Sequence, residues 1–262
     1  MPNFVINVAV MNLYKEPAFQ SELVTQGFLG ESCPVIDQSN NWYKIKQWDG
    51  YESWANGFYG VIQDDVYTTT HSFFGHAGDI VNTEGQNIRT IHFGGKVNAE
   101  LNDNAYTVIL PDGLEGACAA ELNDQTLSPS RHSIIRLAQS FLGIPYLWGG
   151  KSTQGFDCSG FVQTVFKAHA IALPRDSYMQ GEHFNDAIDI SSAKPGDLLF
   201  FAEQNDISHV AISLGGDNFI NARGWVRNES LNSSSAAFSQ KLKDYFVKAV
   251  SIAGVVKHLG LY

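Results

Sequence analysis

The chain has 262 residues, 44% of them hydrophobic and 17% charged, with 17 Phe, 10 Tyr and 5 Trp. That is far from the polar, charge-rich signature of disorder, and the length allows two or three domains. A net charge of −10 with no Lys/Arg cluster leaves no electrostatic footprint for a nucleic-acid partner.

No run reaches the roughly 18 apolar residues that a membrane span needs. The N-terminus, MPNFVINVAVMNLYKEP, lacks a basic region, and Asn7 and Asn12 break its apolar stretch, so it does not read as a signal peptide. Cytoplasmic residence is the expectation, with a periplasmic or secreted setting if a leader has been removed. Cys33, Cys118 and Cys158 are odd in number and far apart. They suit neither a disulfide framework nor zinc ligation, and at least one thiol is free to react. No metal or organic cofactor is expected.

Up to about residue 126 the chain holds short β-like runs between Gly, Asp and Asn turns, among them YKIKQW (43–48) and YTVIL (106–110). Tyr43, Ile45, Asp49, Gly50 and Glu52 recur, 63 residues on, as Tyr106, Val108, Asp112, Gly113 and Glu115. Each copy reads strand, Asp-Gly hairpin turn, strand. Two small β-barrels in tandem, 1–62 and 63–126, are the expected arrangement.

From Leu127 the pattern changes. Ser128, Pro129 and Ser130 supply N-cap chemistry for a helix carrying Ile134, Ile135, Leu137, Ala138, Phe141 and Leu142. A second helix is expected from Asp157 and Cys158, with Phe161, Val162, Val165 and Phe166 on one face. Strands follow at DLLFF (197–201), HVAISL (209–214) and NFINA (218–222), and a final one within Val247–Val256. Residues 127–262 are therefore expected to form an α+β domain.

Cys158 follows a glycine-rich polar run and opens a helix, where unpaired N–H groups and the helix dipole favour a thiolate. The alternative is a buried structural cysteine, the reading kept for Cys33 and Cys118. His209 begins a strand after the polar loop 203–208, a place for a base as much as for an ordinary capping histidine. Asn221, on the hairpin partner strand, has a side-chain carbonyl that can accept the far ring N–H of His209. An unremarkable residue near a turn is its bland alternative.

The segments YLWGG (146–150), FDCSGFV (156–162), LPRDS (173–177), KPGDLLFF (194–201), SHVAISLG (208–215) and FINA (219–222) together resemble the NlpC-type family of papain-like cell-wall peptidases. The resemblance implies a papain-like α+β catalytic domain, with Cys158 as nucleophile, His209 as base and Asn221 at the orienting third position, where many relatives carry His. It also implies that Tyr146 donates its hydroxyl to the oxyanion and that Trp148 lines the pocket. Asp157 and Ser159 flank the nucleophile, and Asp176 and Ser177 anchor the Ala-Glu end of a peptide. The bland alternatives are capping for Asp157 and turn chemistry for Asp176.

The β repeats resemble bacterial SH3-like domains. Two of them ahead of an NlpC-type domain resemble γ-D-glutamyl-L-diamino acid endopeptidases of the dipeptidyl-peptidase VI type. Those cleave between γ-D-glutamate and meso-diaminopimelate, or L-lysine, in murein peptides with a free N-terminal L-alanine. That likeness implies a murein peptide as partner, with Tyr51 and Glu52 of the segment DGYESWA contributing to the substrate site beside Trp54; a barrel hairpin with a core Trp is the bland alternative for these positions. A lysin acting on intact murein, an acyltransferase and a non-catalytic murein-binding protein are the alternatives.

Overall fold

The computed structural model describes residues 1–184, 187–204 and 206–253. They divide into two units, Met1–Thr126 and Leu127 onward.

The first unit is built of β-strands. Seven form one sheet, in the order Leu23–Phe28, Val10–Tyr14, Glu52–Asn56, Trp42–Lys46, Ser32–Ser39, Asn3–Ile6, Gly60–Gln63. The long strand Ser32–Ser39 pairs with Asn3–Ile6 at one end and with Trp42–Lys46 at the other, its register shifting between Val35 and Asp37. Such a bulge lets a strand bend and the sheet curl. Phe4, Ile6, Met11, Leu13, Cys33, Ile45 and Ala55 fill the interior. Six further strands, from His71–Ser72 to Glu115–Cys118, form a second sheet around Phe73, Ile80, Ile91, Val97, Val108 and Cys118.

The 63-residue repeat corresponds to one turn made twice. Gly50 and Gly113 both have φ of 83°, the left-handed conformation that glycine adopts without penalty. Their N–H groups donate to Gln47 O and Leu110 O, each at 2.9 Å. Asp49 and Asp112 each accept from the N–H two residues on, that of Tyr51 at 3.1 Å and of Leu114 at 3.2 Å. Aspartate for the Asx bond and glycine for positive φ are what this turn requires.

In the second unit, helix α1 (Arg131–Ser140) is capped by Ser130, whose side chain accepts from Ser133 N–H. It ends earlier than the apolar spacing predicts: Phe141 is its C-cap and Leu142 is exposed. Gly143, with φ of 87°, and Pro145 stop it. Helix α2 (Cys158–Ala168) is buried at every residue but Lys167, so it is a core helix rather than an amphipathic surface one. Two short helices, α3 (Ser177–His183) and α4 (Gln240–Tyr245), have no counterpart in the periodicity.

A six-stranded sheet runs in the order Ala187–Ile188, Phe246–Val250, Leu198–Glu203, Asp206–Gly215, Asn218–Arg223, Trp225–Ser230. Its central strands are buried on both faces, which explains the unbroken run LLFF. Leu199, Phe201, Ala211, Phe219 and Ala249 pack with Leu242 of α4, while α2 and α3 lie against the strand Asp206–Gly215. That strand starts three residues before the predicted HVAISL, and its pairing with Leu198–Glu203 continues past His209 through a register shift between Phe201 and Ala202. Of the last predicted strand, Phe246–Val250 is observed and 254–256 lie outside the described residues.

What places the start of α2 is the close approach of two glycines. A Cβ on Gly160 would stand 2.2 Å from Gly150 O, a backbone atom that also accepts from Asp157 N–H at 3.0 Å. Helix propensity alone would make Gly160→Ala stabilising by about 1 kcal/mol. The clash should reverse that, to a net loss on the order of 1–3 kcal/mol. A lowered urea-unfolding midpoint at unchanged slope is the expected result, and a midpoint at or above the parent's would contradict the packing argument.

Candidate active site

Cys158 is the first residue of α2, immediately after the N-cap Asp157, whose Oδ1 accepts from Gly160 N–H at 2.6 Å. The helix start is further tied down by Arg175. Its Nη1 donates to Asp157 Oδ1 at 3.1 Å and to Ser159 Oγ at 3.0 Å, and its Nη2 to Asp157 Oδ2. Arg175 and Asp157 are both buried, so this ion pair is largely removed from water. Gln180, also buried, adds bonds from Nε2 to Ser159 O at 3.1 Å and Pro174 O at 2.8 Å.

The thiol faces a gap in the sheet. Between Asp206–Gly215 and Asn218–Arg223 the register runs from the Gly215–Asn218 pair to the Ile212–Ile220 pair. Beyond it, toward His209, the sheet-forming groups turn to the cysteine. Sγ lies 4.0 Å from Ser208 O, and Val210 N–H donates toward the sulfur, as does Ser159 N–H. The thiol is therefore held against the backbone on either side of His209. The imidazole of His209 packs on Phe201, centroid to centroid 5.6 Å, and its Nε2 lies 2.8 Å from Asn221 Oδ1. Asn221 is fully buried, and its Nδ2 donates to Arg227 O at 3.3 Å and to Glu229 Oε2 at 3.0 Å.

Burial pushes the Cys158 thiol up to about 12, helped by the negative charge of Asp157; the Val210 and Ser159 N–H groups and Arg175 oppose the shift. Burial likewise pushes the His209 imidazole down to about 4, against the Asn221 hydrogen bond. Burial thus favours the uncharged form of both groups, a thiol with a proton to give and an imidazole with a lone pair able to receive one.

Tyr146 is half-buried, its N–H bonded to Gly224 O at 2.8 Å. Burial raises its hydroxyl well above the usual phenol range, and Cys158, when ionised, and Asp157 raise it further, so it stays a donor. Trp148 is 61% exposed. Ser177 opens α3 and is buried; Asp176 stands at its N-cap position without a cap hydrogen bond from its side chain. The Asp157 carboxylate accepts from Gly160 N–H and from Arg175. Ser159 is drawn into the same cluster, its Oγ 3.3 Å from Asp157 Oδ1. In the other unit, Tyr51 N–H donates to Asp49 within the repeated turn. Glu52 forms an exposed ion pair with Lys44 at 2.9 Å.

Arg175, Gln180 and Glu229 escaped the sequence reading. Arg175 had a signal: a lone cation after the apolar stretch IALP needs a buried partner. Among the described residues no cluster of His, Cys, Asp or Glu is arranged to hold a metal ion. No described helix is long and apolar enough to cross a membrane.

Residues 143–248 match the NlpC/P60 family and residues 9–59 the bacterial SH3 domain. The C-terminal unit belongs to the NlpC/P60 family. The chain is a cysteine peptidase of that family, with an SH3 domain ahead of the NlpC/P60 domain and an α+β fold. It is 29% identical over 232 residues to a gamma-D-glutamyl-L-lysine dipeptidyl-peptidase of Bacillus cereus, covering 77% of this chain and 68% of that one. To dipeptidyl-peptidase 6 of Lysinibacillus sphaericus it is 26% identical over 242 residues, 84% of this chain and 87% of the other. The crystal structure of an NlpC/P60 family protein from Bacillus cereus superposes with a TM-score of 0.82 at 22% identity. It covers 96% of this chain and 99% of that one, and shows the shared fold.

The depressed His209 value has a consequence for stability. Below pH 6.5 the unfolded chain takes up a proton on this histidine that the folded protein does not bind until about pH 4, so stability falls as pH drops through that interval. His209→Gln should remove this share of the acid loss, on the order of 1–3 kcal/mol. Urea midpoints of parent and variant at pH 7 and pH 4 test it, and equal losses in the two proteins would refute it.

Proposed function

We propose that this peptidase hydrolyses the bond between γ-D-glutamate and a diamino acid, meso-diaminopimelate or L-lysine, in murein peptides with a free N-terminal L-alanine, as part of the turnover of short wall-derived peptides. The observation that carries the reaction type is the thiol of Cys158 at a helix start, held against the strand that bears the Asn221-bonded His209. The names of the two relatives support the bond cleaved.

In this reading the Cys158 sulfur attacks the γ-carbonyl carbon while its proton passes to Nδ1 of His209. The oxyanion is received by the Cys158 backbone N–H, one of the donors that a helix start leaves unpaired, and by the Tyr146 hydroxyl. Collapse of the intermediate breaks the C–N bond, His209 protonating the leaving amine, and a thioester remains. Water then attacks the thioester with His209 as base, releasing the γ-carboxylate and restoring the thiol. Asn221 keeps the imidazole oriented throughout. Trp148 and Ser177 contribute to the peptide site, and Asp176, at the start of α3, takes the ammonium of L-alanine. Asp157 and Ser159 support the helix start.

Two measurements test this proposal. Cys158→Ala should reduce turnover of L-Ala-γ-D-Glu-meso-diaminopimelate, followed by mass spectrometry, to background, whereas Cys33→Ala and Cys118→Ala should stay within a few-fold of the parent. A Cys158→Ala protein as active as the parent would end the cysteine mechanism. N-acetylation of the peptide removes the ammonium and leaves an acceptor-only carboxylate facing a bulkier group, so its cleavage should fall by roughly 100-fold or more. Comparable rates on the free and acetylated peptides would exclude the specificity and favour a lysin of intact murein.

A further inference from the structure

Asn221 depends on a residue that the cysteine mechanism does not call upon. A buried carboxamide fits its cavity in two orientations related by a half-turn, and only its hydrogen-bond partners distinguish them. Here the Nδ2 side meets two groups that can only accept, Glu229 Oε2 at 3.0 Å and Arg227 O at 3.3 Å. Turning the amide over would set Oδ1 against a carboxylate and a carbonyl. The oxygen is therefore committed to His209, whose Nε2 at 2.8 Å must carry the hydrogen.

We propose that Glu229 is a positioning residue, which fixes the Asn221 amide and through it holds His209 in the Nε2–H tautomer, leaving Nδ1 free to accept the thiol proton. This rests on the reading of His209 as the base.

The strand register makes the relay. Asn221 pairs with Arg227 across the hairpin Asn218–Arg223/Trp225–Ser230, and Glu229, two residues further on the same strand face, falls within reach of the amide. The carboxylate is 7% exposed and is kept ionised by its surroundings. Burial alone would raise its pKa, but hydrogen bonds from Arg223, Asn221 and Arg227 outweigh burial and hold it below the usual carboxylate range. Arg223 donates from both Nε, at 3.1 Å, and Nη2, and Arg227 Nη2 lies at 2.9 Å. Arg227 is itself stacked over Trp225, 4.6 Å from the ring centroid. Two guanidinium groups thus hold one carboxylate whose remaining acceptor position is spent on the amide. Simple cross-strand pairing would not need that last bond.

The test uses Glu229→Gln, nearly isosteric but able to present either an oxygen or an NH2 group to Asn221, so that the amide loses its reason to choose. Ring nitrogens of 15N-labelled His209 should report the Nε2–H form alone in Cys158→Ala protein, and a mixture of both tautomers once Glu229→Gln is added. With the cysteine intact, Glu229→Gln should lower kcat on the order of tenfold with KM nearly unchanged. In an Asn221→Ala background the same substitution should change kcat by less than about twofold, because the relay is already cut.

An unchanged tautomer, or the same kcat loss in the Asn221→Ala background, would overturn the proposal, as would a lowered melting temperature with neither effect. If Glu229→Gln does not fold, Glu229→Asp decides: withdrawing the carboxylate by one methylene should admit the Nδ1–H form, and a ring spectrum identical to the parent's overturns the assignment. The spectrum requires no turnover. It therefore stands or falls separately from the cysteine mechanism, which full activity in Cys158→Ala would remove.

Discussion

The buried pair of Asp157 and Arg175 is the interaction on which the catalytic unit is organised. One carboxylate caps α2 through Gly160 N–H and takes both terminal nitrogens of a guanidinium whose side chain is 1% exposed. Such a pair adds little net stability when complete, since desolvation offsets much of the attraction, but removing one partner strands a buried charge at a cost of about 3–5 kcal/mol. Its value here is geometric. Asp157 precedes Cys158 in the chain and Arg175 precedes Asp176, so a single contact joins the starts of α2 and α3 and, with them, the proposed nucleophile and the residue proposed for the peptide's ammonium. Gln180 closes the same knot from α3 by bonding Ser159 O and Pro174 O.

That arrangement sets the electrostatics of the thiol. A carboxylate one residue from a nucleophilic cysteine disfavours its ionisation, and Asp157 does raise the Cys158 pKa. Burial is the larger influence and also favours the thiol, while Arg175 and the flanking Val210 and Ser159 N–H groups act the other way. The sheet contributes the other half. The register between Asp206–Gly215 and Asn218–Arg223 runs only as far as the Ile212–Ile220 pair, and on the His209 side of it Ser208 O lies against the sulfur.

Local chemistry was legible where it is written within a few residues. The Asp-Gly turns appear in the sequence because aspartate and glycine are needed at fixed offsets, and both hairpins have matching geometry. Cys158, His209 and Asn221 lie on the elements expected of them, and the last two are in contact. The short helices α3 and α4 were missed, because six or seven residues carry too little periodicity and α3 lacks a side-chain cap. Arg175 and Glu229 were missed for a different reason. Glu229 looks like an ordinary surface charge in sequence, Arg175 shows only its apolar run-in, and each acquires its role through a tertiary pairing, 18 residues from its partner in one case and 8 in the other.

The choice of Asn at position 221 follows from the same environment. The site needs a group that accepts from the imidazole on one side and donates to a carboxylate on the other, inside a fully buried slot. An imidazole at this position would satisfy both demands with its two ring nitrogens. Beside the ionised Glu229, however, it would be drawn toward the doubly protonated form, which only donates and would turn a donor toward His209 Nε2. A carboxamide has no proton to gain in this pH range. It therefore remains an acceptor toward His209 however strongly the carboxylate pulls, and the charge of Glu229 can orient the relay without protonating it.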